Sequence, residues 1–284
     1  MNIARLRATP LLALCVACSG KKSAGTPALN VVTITATDFA FGAPDTIPAG
    51  LTTFRMLNQG RELHQAVIFG APGKSFAELE AAEQPTEPMA GWWRAFLAMQ
   101  PTFPGGPGVV TGGDSSIITA NLAPGNYVIA CFMASPDGKL HVQKGMFRRL
   151  VVTPAPAGAT AAAEPKSDVT VTLSDFAFAT SSPLTAGTHT IRVENSGAQI
   201  HELTIERLAP GKTLADFQQW LAAGMRGAPI SAPVGGFAGP DKGKVGWVTV
   251  TLTPGTYLLT CYVPDAKDGA PHLLHGMVQQ VTIS

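Results

Sequence analysis

The sequence predicts an all-β chain made of two tandem Greek-key β-sandwiches, each carrying one short helical insertion. Three observations predict it. Val32-Thr33-Ile34-Thr35 and Val169-Thr170-Val171-Thr172 are β-branched runs that alternate apolar and polar residues, the period of a half-buried strand. Pro-Gly pairs at 124–125 and 254–255 punctuate the chain just before further strand-like runs, as turn signals do. The third is an internal repeat: Asp38-Phe39-Ala40-Phe41 recurs as Asp175-Phe176-Ala177-Phe178, and Asn58 and His64 recur as Asn195 and His201 at the same offset of 137.

The 284 residues suit two domains. Residues 1–18 read as an export signal: Arg5 and Arg7 precede a short apolar stretch, Leu11 to Ala17, too short for a membrane-spanning helix. Val16-Ala17-Cys18-Ser19 is similar to a bacterial lipoprotein cleavage site, which makes Cys18 the expected acylated residue and a lipid anchor the expected attachment to a membrane. Cleavage near Ala17 or Ala24, with no lipid, is the alternative. Small polar residues at 19–29 form a tether. The first sandwich is expected over 30–153, a Pro/Ala-rich linker over 154–167, and the second sandwich over 168–284.

Within each half the elements follow in the same order. Ile191 and Val193 share one strand face while Arg192 and Glu194 share the other. Strands carrying His64 and His201 come next. Helical spacing marks Ser75–Glu83 and Trp92–Met99 in the first half, and Thr213–Ala223 in the second, where Phe217, Trp220 and Leu221 fall on one face. Tyr127, Ile129 and Cys131 then share a strand face, as do Tyr257, Leu259 and Cys261. Gly145 and Gly276 are expected to let the backbone approach closely near the end of each half.

The chemistry concentrates after those last strands. CFMASPDGKLHVQKGM places Cys131, His141 and Met146 in one stretch, and CYVPDAKDGAPHLLHGM places Cys261, His272 and Met277 in another. With His64 and His201, each half offers two imidazoles, one thiolate and one thioether, the ligand set of an electron-transfer copper centre. Once Cys15 leaves with the signal and Cys18 carries lipid, one cysteine remains per half. An inter-domain disulfide or two inert buried thiols are the alternatives. His189 reads as structural, His275 as a surface residue or spare ligand, and Glu202 as facing away from any metal at His201.

Taken together, Asn-x-Gly-x-x-x-His, Pro-Gly-x-Tyr-x-x-x-Cys and His-x4-Met, found twice in order, resemble the cupredoxin (blue copper) family across nearly all the chain after residue 29. The resemblance implies one or two copper ions. His64, Cys131 and His141, and likewise His201, Cys261 and His272, would be the near ligands. Met146 and Met277 would be the weak axial ones. Apolar neighbours of one ligand histidine, here Leu140 and Val142 or Pro271, Leu273 and Leu274, are where partners of this family dock. The loops between Cys and His are longer than in the family's small electron carriers.

The implied function is one-electron transfer in an exported protein on the periplasmic or cell-surface side of a bacterial membrane, with a redox partner protein the sequence does not name. Copper handling or storage, and a metal-free binding module, are the alternatives. Residues 29–153 hold 8 basic and 9 acidic side chains and residues 168–284 hold 7 and 9, so neither half has the field that nucleic-acid binding requires. Copper nitrite reductases and two-domain laccases share the tandem arrangement. They need a second copper centre built from His-x-His pairs and a histidine before the cysteine. Here Ala130 and Thr260 precede the cysteines and no His-x-His occurs. On that ground no catalytic residue and no enzyme are expected.

Overall fold

The computed structural model describes residues 29–82, 84–86 and 89–284. The export signal, Cys18, the tether up to residue 28 and Glu83 lie outside the described residues.

The first half contains β1 (Asn30–Thr37), β2 (Ala40–Gly42), β3 (Thr46–Pro48), β4 (Gly50–Asn58) and β5 (Val67–Gly70), then α1 (Phe76–Ala82) and α2 (Met89–Ala98), then β6 (Gly106–Pro107), β7 (Ser115–Leu122), β8 (Gly125–Ala130) and β9 (Phe147–Thr153). The second half repeats the plan: β10 (Val169–Ser174), β11 (Ala177–Thr180), β12 (Gly187–Asn195), β13 (Leu203–Leu208), α3 (Leu214–Ala222), β14 (Ser231–Ala238), β15 (Val245–Leu252), β16 (Gly255–Thr260) and β17 (Val278–Ile283). Each half packs two sheets face to face. In both, the first strand pairs parallel to a later one, β1 with β4 and β10 with β12, with antiparallel neighbours elsewhere in that sheet.

Alternation explains the sandwich core. Val32, Ile34 and Ala36 point inward from β1, and Val169, Val171 and Leu173 from β10, all nearly inaccessible. At about 25 cal/mol per Å² of apolar surface removed from water, such faces supply the main driving force for folding. Tyr127 and Tyr257 donate their hydroxyls to the carbonyls of Ala123 and Thr253, each at 3.1 Å. These corners close the Pro-Gly turns that the sequence marks.

The helices start where capping residues allow. Ser75 and Glu78 at α1, and Thr213 and Asp216 at α3, bond each other's backbone amides reciprocally, the capping-box arrangement. Among the described residues the first half has two helices rather than one. The extra one, α2, lays Trp93 and Phe96 over Phe69 and Phe103 on the outer face of β5 and β8.

The halves are not separate bodies. β7 of the first pairs antiparallel with β15 of the second, Ile117–Ala120 against Gly246–Thr249, which makes one eight-stranded sheet in the order β11-β10-β12-β15-β7-β4-β1-β2. β6 also joins β14, through Gly106 with Ala238 and Pro107 with Phe237. The Asp241 carboxylate accepts the Phe103 amide across the same seam at 2.6 Å. Residues 154–167 carry no helix or strand.

Candidate metal centre

Each site is assembled from the end of one sheet strand, a loop and the turn that follows it. The first imidazole comes from the Asn-x-Gly-x-x-x-His stretch. Asn58 donates to the carbonyls of Glu62 and Val110 and accepts the Gly60 amide, at 2.9, 3.0 and 2.9 Å. Asn195 does the same with Gln199, Pro240 and Gly197, at 2.8, 2.8 and 2.9 Å. The buried amide thus ties down the loop that presents His64 or His201. Glycine is required in that loop: a Cβ at Gly60 would lie 2.6 Å from His64 Nε2, and one at Gly197 would lie 2.4 Å from His201 Nε2.

The long Cys–His loops fold back on themselves. Ala134 pairs with Leu140 and Pro264 with Pro271 as isolated bridges. The Met133 carbonyl accepts the His141 amide at 2.8 Å, and the Val263 carbonyl the His272 amide at 2.9 Å. The additional residues form a closed excursion, so the histidine still returns beside the cysteine. His141 and His272 then open short 3-10 turns, His141–Lys144 and His272–His275. Gly145 and Gly276 end those turns at φ 93° and 101°. Nothing lies within 4 Å of a Cβ built on either, so they serve the left-handed turn and not the close backbone approach expected of them. The Met146 and Met277 carbonyls accept the Cys131 and Cys261 amides at 3.2 and 3.3 Å, which sets each methionine beside its cysteine.

Six of the eight side chains come together as two groups of three, His64, Cys131 and His141, and His201, Cys261 and His272, and all eight are fully buried. In the first, His64 Nδ1 and His141 Nδ1 are 3.1 Å apart and Cys131 Sγ lies 3.8 and 3.4 Å from them. In the second, His201 Nδ1 and His272 Nδ1 are 3.0 Å apart, with Cys261 Sγ 3.4 Å from His272. Both cysteines are free thiols, so no disulfide links the halves. Burial pushes Cys131 up to about 12 and Cys261 well above the usual thiol range. Two facing nitrogens and a thiol form a buried pocket of lone pairs whose natural occupant is a cation, and a bound metal is what holds a thiol in its deprotonated form. Soft sulfur with two imidazoles and a thioether fits copper.

The far sides of the rings carry what the sequence reading did not find. His64 Nε2 donates to Asp38 at 3.2 Å, His141 Nε2 to Glu62 at 2.9 Å, and His201 Nε2 to Asp175 at 2.6 Å. Such partners fix ring orientation and raise ligand basicity. Burial works to raise Asp38, Glu62 and Asp175, but their hydrogen bonds outweigh it and hold all three below the usual carboxylate range. Asp38 and Asp175 sit in the repeated Asp-Phe-Ala-Phe stretch, and its repetition in step with Asn and His was the available signal. The same stretch sends Phe39 against His141 and Phe176 against His272, at 5.2 and 4.9 Å between ring centres. His272 Nε2 is buried without a partner, and burial lowers this imidazole to about 4.

The remaining polar residues serve other ends. His189 bonds Asp168 and the Thr185 carbonyl, away from both sites. His275 bonds Asp268 at the surface. The Glu202 carboxylate faces away and accepts the Tyr262 amide at 2.9 Å, while the Glu202 amide donates to Cys261 Sγ at 3.3 Å. Of the residues around the second histidines, Leu273 and Val142 pack inside and Leu274 is 60% exposed.

Two face-packed Greek-key sheets, a histidine entering from mid-chain, and cysteine, histidine and methionine closing the site from one late loop decide the fold. Both halves have a cupredoxin-like fold. No protein-family model matches the sequence, and neither does any curated protein. Among solved structures, auracyanin from the photosynthetic bacterium Roseiflexus castenholzii is 21% identical, covers 46% of this chain and 100% of its own, and gives a TM-score of 0.30. Blue copper oxidase from Nitrosomonas europaea is 12% identical over 90% of this chain and 86% of its own, with a TM-score of 0.28. The copper-containing nitrite reductase from Thermus scotoductus SA-01 is 11% identical over 89% of this chain and 61% of its own, with a TM-score of 0.23. The expectation that the chain is not an enzyme is corrected at this point. An oxidase and a reductase align along nearly all of the chain. The missing His-x-His pair bears on one way of building a second copper centre and does not exclude redox catalysis at these sites.

Proposed function

We propose that the chain is a copper redox protein that takes up and passes on single electrons through its two centres. The observation that carries this reading is the convergence of two imidazole nitrogens and a buried cysteine sulfur, twice, with the backbone of a buried methionine bonded to each cysteine. Copper in such a donor set changes oxidation state with little rearrangement, because the set suits neither state fully. The chain's own residues keep it so: Asp38, Glu62 and Asp175 lock three of the four rings, backbone amides bond the cysteine sulfurs, and the apolar surroundings exclude water.

The two sites face their surroundings differently. Gln143, which corresponds to Leu274, is exposed too but polar, and it donates to the Pro85 carbonyl at 3.0 Å, so the first site presents no apolar side chain at that position. Leu274 stands uncovered beside the second. The second site is therefore where a redox partner protein docks. Catalysis on a small molecule is a second reading. It is favoured by a cleft of about 360 Å³ lined by Trp93, Leu97, Gln199, Ile200, Asp241 and Val263, next to the second ligand loop. We also propose, from the leader and the Val16–Ser19 stretch, that the protein is exported and held to a membrane by lipid on Cys18. The Cys18→Ser chain should then leave the membrane fraction, and unchanged membrane association would remove that claim.

Loading the purified protein with Cu(II) tests the main reading. Two coppers should bind and give an intense visible charge-transfer band. Cys261→Ser should remove about half of it and Cys131→Ser the other half, since each half holds one thiolate. Copper bound without the band would favour copper handling, and no stoichiometric copper would leave a metal-free module.

A further inference from the structure

The two centres repeat each other in every ligand but not in what holds the ligands. In the first, His141 donates Nε2–H to the Glu62 carboxylate at 2.9 Å. The residue at the same place in the second repeat is Gln199, 137 positions on. Gln199 turns away: its amide nitrogen donates to Asp265 Oδ2 and its oxygen accepts the Ala266 amide, both at 2.8 Å. His272 Nε2 is left buried and unpaired. The other imidazoles are matched, His64 on Asp38 and His201 on Asp175. Near the second cysteine, Glu202 binds the Tyr262 amide, and no hydrogen bond joins it to an imidazole.

We propose that the two sites have unequal reduction potentials, the first lower than the second, and that Glu62 is the positioning residue that sets the difference. A carboxylate accepting the far N–H of an imidazole makes the near nitrogen a stronger donor. A stronger donor favours the higher oxidation state of the metal, binds Cu(II) more tightly and lowers the potential. The ring without a carboxylate lacks that push. In the half-reduced protein the single electron rests at the second site, beside exposed Leu274. Its passage from the first site oxidises one copper and reduces the other, with no bond or proton exchanged. The inference rests on the copper reading given above.

Redox titration of the copper-loaded full chain, followed at the thiolate band, tests it. Cys131→Ser and Cys261→Ser chains each report one site alone. The first-site potential should be the lower. Glu62→Gln should raise it toward the other and weaken Cu(II) binding at that site by roughly 10–100-fold in competition titration. The double variant Gln199→Glu/Asp265→Ser carries the first repeat's residues into the second, Ser135 being the counterpart of Asp265. It should lower the second potential, which guards against misfolding of Glu62→Gln. Equal potentials in the parent chain, or variants that move neither potential nor affinity, would overturn this inference while leaving the copper reading intact. Absence of the thiolate band altogether would overturn both.

Discussion

Met146 and Met277 are fully buried and held through their carbonyls by the Cys131 and Cys261 amides, so the backbone and not the thioether places each residue. Met277→Leu should therefore leave the fold and the charge-transfer band in place and raise the potential of the second site, because a weak axial sulfur tunes a copper centre without holding it. Loss of the band in that variant would count against an axial role. The two His/Cys/His groups were legible because donor types at a fixed spacing recur in both repeats. Asp38, Asp175 and Glu62 were not. The partner of a carboxylate is set by the tertiary fold, and Asp38 lies 26 positions from the histidine it holds. The contrast between Glu62 and Gln199 was visible as letters but had no meaning until the ring nitrogen facing each was known.

At the scale of elements, the turn that carries the second imidazole depends on its last residue. Gly276 adopts φ 101° with open space around its Cα, so a side chain there would strain the backbone without clashing. Gly276→Ala should cost about 1–2 kcal/mol of stability and disturb His272 and Met277 together, read as a lower unfolding midpoint and a weaker second-site band. An unchanged band and midpoint would show that the turn does not position the ligands. The strands and the helices α1 and α3 were readable, since alternation and the Ser75/Glu78 and Thr213/Asp216 pairs are local signals. The fold-back of the Cys–His loops was not. It rests on single bridges, Ala134 with Leu140 and Pro264 with Pro271, in segments without periodic pattern. Glu202, Thr204 and Glu206 also defied the pattern. They lie on the outer face of the second-half sheet and yet are buried, with Glu206 taking hydroxyl bonds from Tyr262, Thr260 and Ser231.

Over the whole molecule, the tandem plan was legible from the repeat, but the joining of the halves was not. An edge strand advertises free amides and carbonyls without naming its partner, and β7 and β15 meet across some 130 positions of chain. We place the domain boundary within residues 154–167, and protease should cut there first, in exposed backbone free of strands. The cut fragments should still migrate as one particle under native conditions and part only on denaturation, because the shared sheet, the β6–β14 pair and the Phe103–Asp241 bond remain. Fragments that separate on native gel filtration would refute this. The seam also reaches the candidate metal ligands: His64 exchanges backbone hydrogen bonds with Val110, and Val110 bridges to Val234 on β14. Copper ions seated in such a molecule would be spaced like two atoms in a crystal, not like beads on a string. Tunnelling between them would then run at one fixed rate, insensitive to solvent viscosity, since no swing of one half against the other has to precede it.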